Sequence, residues 1–283
     1  MIPDGQSNLF SRVDKEDIAI LSFCDRARDL LGTNLAAIDQ LWRFFGEQER
    51  HPSKAIVLHM PASALGPVSI DKMLAGLPFD GQVGGPASLN ETDFARGMNA
   101  MQHFIKAVRR TELSVVAALE GCMVLPLFGP PLACDFRMVS ADFILVNRMA
   151  DYGIAPLGGL PWFLARNVGR KLACDLVRRT TGVDAKGAVK LGLVDEVVPQ
   201  NELLAAAVAL AQDFARRPYR NRLALKQAAL AADDSLEAYL YREEMLFKKS
   251  LAKRTFSNGG QGRAHNMAAD IRISRSRKQG SSP

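Results

Sequence analysis

The chain is expected to fold as an α/β protein with a helical C-terminal part, and three observations predict this. Ile18 to Cys24 and Lys54 to Met60 are continuous apolar runs, the pattern of strands buried on both faces of a parallel sheet. Between them Leu35, Ile38, Leu41, Trp42 and Phe45 recur at helical spacing, which makes a strand–helix–strand unit. From Asn201 onward the pattern is helical throughout.

The remaining elements follow in order. Residues 61–90 are rich in Pro and Gly, with a short helix expected around Asp71 to Leu77; loops of this length in a compact domain tend to be functional. Phe94, Met98, Met101, Phe104, Ile105 and Val108 stripe a long helix, with Asn90 or Thr92 as its N-cap. Leu113 to Leu119 is a third strand, followed by a loop and a short helix. Phe136 to Ser140 and Phe143 to Asn147 are two short strands. Gly158 and Gly159 precede a helix expected through Arg166, another is expected from Gly169 to Thr180, and Leu193 to Pro199 closes the sheet region. Further helices are expected over Asn201 to Arg216, Tyr219 to Ala232, Ser235 to Lys253 and Gly262 to Ile271. The expected division is a core over 1–200, a helical subdomain over 201–272 and a basic tail over 273–283.

Composition narrows the function classes. The chain has 283 residues, 48% of them hydrophobic, with 36 Lys and Arg against 30 Asp and Glu. No apolar run approaches the roughly 20 residues that span a bilayer, and the N-terminus lacks signal-peptide regions. A cytoplasmic protein without a membrane partner is the expectation. Cys24, Cys122, Cys134 and Cys174 form no CxxC pair, so buried free thiols are expected rather than a disulfide framework or a metal site. A net charge of +6 without interleaved aromatics argues against nucleic acid and leaves room for a phosphorylated small molecule.

The segment from Glu120 to Asp135, EGCMVLPLFGPPLACD, has the outline of a strand running into a loop and then a helix. Ala133-Cys134-Asp135-Phe136-Arg137-Met138 resembles the A-C-D-I-R-I stretch of the crotonase superfamily, the enoyl-CoA hydratases and isomerases. Tyr152-Gly153-Ile154-Ala155-Pro156 with Gly158-Gly159 is similar to that family's L-G-I-I-P-G-A-G-G. Gly169-Arg170-Lys171, Thr181-Gly182, Gly192-Leu193-Val194, Val197-Val198-Pro199 and the Pro218…Lys226 spacing extend the likeness over roughly residues 15 to 270. The resemblance implies a crotonase-like ββα superhelix with a C-terminal helical trimerisation subdomain, and hence a homotrimer or hexamer. It also implies an acyl-CoA thioester as partner, with coenzyme A entering only as part of the substrate and no separate cofactor.

Family members hold the thioester oxygen with two backbone N–H groups, one in an A-G-x-D loop and one in a G-G-G-x-E turn, where enolate charge develops. Carboxylates from that turn and from a later segment move protons. Here Gly66 to Met73 falls where the first loop would be, so Val68 is the expected first donor. Leu125-Pro126-Leu127 occupies the three-glycine run. Pro126 has no N–H to give, leaving Leu127 as the neighbouring substrate-binding position. Gly129 stands at the first acid and Met149 at the second, so the chain reads as a divergent member lacking the usual catalytic glutamates. Leu125, Pro126, Phe128 and Met149 are expected to line the pocket.

Asp151, two residues before Gly153, is the candidate catalytic group that remains, with Asp142, Asn147 and Arg148 on the approach. Asp135 is expected to fix the turn into the next strand. His59, at a strand end, is either a general base or a structural group. Three functions stay open: an acyl-CoA isomerase-type enzyme of non-standard or much reduced activity, a non-catalytic acyl-CoA-binding protein, and an assembly subunit whose pocket is filled.

Overall fold

The computed structural model describes residues 10–24, 41, 43–45, 53–62, 64, 91–147, 156, 158–178, 182–231, 236, 239–241 and 243–245. The six-residue strands β2 (Ile18–Phe23), β3 (Ala55–Met60) and β4 (Ser114–Leu119) lie side by side and parallel, joined by β6 (Phe136–Ser140) and β9 (Glu196–Val198). A strand that sequence patterning missed, β1 (Phe10–Lys15), pairs antiparallel at the edge and gives the order β1-β2-β3-β4-β6-β9. A second sheet holds β5 (Cys122–Val124), β7 (Ile144–Val146) and β8 (Val183–Asp184).

Side chains alternate between the two faces of the large sheet, and each face has its own core. Ala19, Leu21, Ile56, Leu58, Met60 and Leu119 pack into one core with Phe104, Ile105 and Val108 of helix α1 (Glu91–Arg110). Ile18, Ile20, Val57, Val116 and Ala118 form the other, covered by Leu203, Ala207, Val208 and Ala211 of α5 (Leu203–Arg216). Burial on both faces is why β2 and β3 read as unbroken apolar runs. The shorter helices are α2 (Gly129–Leu132), α4 (Ala185–Lys190) and α6 (Tyr219–Ala231). The two helices expected on either side of Gly169 are present and meet at a kink within Leu160–Arg178 (together α3), where Gly169 takes the non-helical φ 77° and ψ 156°.

The expectation of buried cysteines is corrected for three of the four. Cys134 is buried, and burial pushes its thiol up to about 12; Cys24 and Cys122 are half-buried and Cys174 is exposed. The expected loop helix at 71–77, the Asn90 cap, the 262–271 helix and the basic tail lie outside the described residues. Among the described residues, no helix is long and apolar enough to cross a membrane.

Candidate functional site

The segment singled out in the sequence runs from the carboxyl end of β4 through Gly121 and β5 into a 3-10 turn over Leu125–Leu127, then α2. Carboxyl ends of parallel strands are where open α/β sheets place ligands. Gly121 takes φ +61°, and a Cβ there would stand 2.6 Å from the Ala62 methyl carbon, so this corner admits only glycine. The Gly121 N–H donates to the Ser140 hydroxyl at 3.1 Å, which ties the corner to the end of β6.

Pro126 stands in the first positions of the 3-10 turn, where its fixed φ suits helical backbone and its lack of an N–H costs the turn nothing. The Phe128 N–H is used internally, donating to the Leu125 carbonyl at 3.0 Å. Leu125, Leu127 and Phe128 are all buried in the core on the α1 face, with Phe128 set 6.3 Å from Phe143 between ring centres.

Gly129, the position that the family resemblance implies for the first acid, is closed by backbone. A Cβ on Gly129 would lie 1.8 Å from the Gly158 carbonyl oxygen, far inside contact distance. Gly158 and Gly159 both take left-handed φ, +66° and +68°, and this turns the Gly158 carbonyl toward Gly129. The next N–H, that of Gly159, donates to both carboxylate oxygens of Glu243 at 2.9 and 3.0 Å. Glu243 is 3% exposed. Burial raises its carboxyl to about 7, and the Gly159 N–H offsets part of that rise. The glycine pair is thus held from one side by Gly129 and from the other by a C-terminal carboxylate.

Asp135 fixes the exit from the turn, as expected. Its Oδ2 accepts from the Val115 N–H at 2.7 Å and from Lys226 Nζ at 3.0 Å, and the same ammonium donates to the Leu113 carbonyl at 2.7 Å. Asn147 is not an approach residue: it is buried, and its Nδ2 donates to the carbonyls of Leu176 and Val177 at 2.9 and 2.8 Å.

His59 belongs to a relay. Its Nδ1 lies 3.1 Å from the Ser22 hydroxyl and its Nε2 lies 2.9 Å from Glu120 Oε1. Strand alternation sets these side chains on the face covered by α5, whereas the 3-10 turn packs into the core of the α1 face. The relay joins the carboxyl ends of three adjacent strands rather than facing the turn. Ser22 and His59 are register partners, which is why they meet.

Asp151, Val68 and Met149, with Arg148, lie outside the described residues. Of the other expected positions, Leu125, Leu127 and Phe128 are brought together in the core, and Pro126 joins them through the backbone turn. Sequence reasoning missed Glu243 and the Gly129–Gly158 approach. Neither leaves a local signal, since each joins segments distant in the chain.

The enoyl-CoA hydratase/isomerase family model matches residues 86–268. Among solved structures, an enoyl-CoA hydratase from Bacillus halodurans superposes with a TM-score of 0.71 at 17% identity, over 88% of this chain and 99% of that one. An enoyl-CoA hydratase from Bacillus anthracis gives 0.68 at 18% identity, over 95% and 97%. A monofunctional enoyl-CoA isomerase from M. smegmatis gives 0.59 at 18% identity, over 84% and 99%. Identities this low carry the fold alone, while the family model spans well over half of the sequence. The chain has the crotonase fold and belongs to the enoyl-CoA hydratase/isomerase family.

Proposed function

We propose that this protein binds acyl-CoA thioesters and that its chemistry is of the isomerase kind, with hydration by paired glutamates lost. Hydration needs one group to activate water and another to deliver a proton. A double-bond shift needs one group that takes a proton from one carbon and returns it to another through an enolate. The observation that carries this reading is the packing of the Gly158 carbonyl against Gly129, which leaves the first acid position without space for a side chain. Met149 at the second acid position supports it. Asp151 is the proposed acid/base group, with the Val68 N–H proposed as the surviving donor to the thioester oxygen and Leu127 as a substrate-binding position beside it. Losing one oxyanion donor costs about 2.7–4 kcal/mol of transition-state stabilisation, so turnover well below that of a two-glutamate enzyme is part of the proposal.

A second reading, a crotonase-fold binding or assembly protein without turnover, is favoured by the burial of Leu125, Leu127 and Phe128 in the core. The test is a 3-enoyl-CoA substrate followed by the ultraviolet absorbance of the conjugated product and by deuterium uptake from heavy water. The isomerase reading predicts conversion that Asp151→Asn removes. Binding of the thioester without conversion selects the second reading. A trimer or hexamer is proposed with either, checked by light scattering.

A further inference from the structure

At the other end of the sheet, a cavity of about 450 Å³ opens beside Ser114 at the start of β4 and Asp135 just before β6. Six cationic side chains line it, Arg109, Arg137, Arg166, Arg217, Arg222 and Lys226, against the single carboxylate of Asp135. They converge from separate parts of the fold: the last turn of α1, β6, α3, the end of α5 and α6. Such convergence is not the solvated face of one helix.

Part of this charge is met within the protein. Lys226 pairs with Asp135 at 3.0 Å, Arg137 with Asp195 at 3.1 Å and Arg217 with Asp213 at 3.5 Å. Asp195 and Asp213 are not among the residues lining the cavity, where the cations face one carboxylate, and low-dielectric walls focus the field of such a cleft. Arg222 is 9% exposed; it donates through Nη1 to the Lys54 carbonyl, yet its Nε–H has no hydrogen-bond partner. The buried Nε of Arg137 is in the same position. The Arg166 guanidinium lies 3.7 Å from the centre of the Trp162 ring and that of Arg109 lies 5.6 Å from it, so aromatic packing fixes both planes.

The group that suits this wall is a phosphate, whose oxygens match the guanidinium fork. The volume is that of a small-molecule site, and Phe163, Phe214 and Leu225 supply apolar wall for an organic part. We infer that this cavity is a second ligand site, taking a phosphate-bearing small molecule independently of the turn. Leu132 at the end of α2 and Ala133 also line the cavity, so α2 links it to the turn, and the CoA arm of the titration tests their independence.

The test is calorimetric titration of the full chain with inorganic pyrophosphate, in low and moderate salt, with and without saturating free CoA. The expected result is one saturable site per chain, weakened by salt, indifferent to CoA, and weakened roughly tenfold or more in Arg166→Gln/Arg217→Gln. Both of these side chains are exposed, so an unchanged thermal midpoint is expected for the variant. If that midpoint falls, Arg217→Gln alone carries the comparison, with a loss of about threefold expected. No saturable binding, or equal affinity in the variants, overturns the inference. Displacement by CoA overturns it too, because the cavity would then be the nucleotide end of the thioester site.

Discussion

The Gly158 carbonyl oxygen stands 1.8 Å from the point that a Cβ on Gly129 would occupy, so these two glycines meet backbone to backbone. The approach leaves no room for a side chain at position 129. It rests on the left-handed φ of Gly158 and Gly159 and is braced by Glu243 through the Gly159 N–H.

Installing an acid at position 129 should therefore fail. Gly129→Glu is expected to lower stability by about 2 kcal/mol or more, as overpacking against backbone does, and to bring no hydratase activity. Urea unfolding midpoints and an enoyl-CoA hydration assay check both halves.

Glu243 should make stability depend on pH. Its carboxyl is raised from 4.5 to about 7 by burial, so the fold prefers the protonated form. Tyr239, the neighbouring titratable group, is itself pushed up by burial and stays neutral over this range. The stability from Glu243 is fully present below about 4.5 and is lost as pH rises through about 7. Thermal midpoints measured from pH 5 to 8 should fall more steeply in the wild type than in Glu243→Gln, which has no carboxyl to ionise.

Lys226 is 9% exposed in its side chain and serves both Asp135 and the Leu113 carbonyl. Lys226→Met strips both acceptors of a charged donor and is expected to cost about 2–3 kcal/mol. A double-mutant cycle with Asp135→Asn should show coupling, read from urea denaturation.

The Ser22–His59–Glu120 relay ties strand ends on the face away from the turn. His59→Gln and Glu120→Gln are expected to lower stability by about 1–2 kcal/mol while leaving acyl-CoA affinity within a factor of two or so. Calorimetry and thermal unfolding on the same samples separate the two effects; a large loss of affinity would place the relay at the ligand.

The parallel core was legible because strands buried on both faces leave unbroken apolar runs, as in Ile18–Phe23 and Ala55–Met60. β1 was not, because an edge strand carrying Arg12, Asp14 and Lys15 looks like loop. In the turn, the absence of an N–H at Pro126 was legible, since it is covalent chemistry. The contact between Gly129 and Gly158 was invisible, as was the bond between Gly159 and Glu243, 84 residues apart. Such pairs are set by packing between elements, to which local pattern is blind. The relay was half visible: His59 stood out at a strand end, but its partners depend on strand register.

The most direct measurement is the affinity and the hydration rate of one short 2-enoyl-CoA on the same preparation. Saturable binding with hydration at the uncatalysed background is the predicted result. Hydration at the 1–10³ s⁻¹ typical of enzymes would contradict the loss of two-glutamate chemistry, and no binding at all would contradict the thioester site.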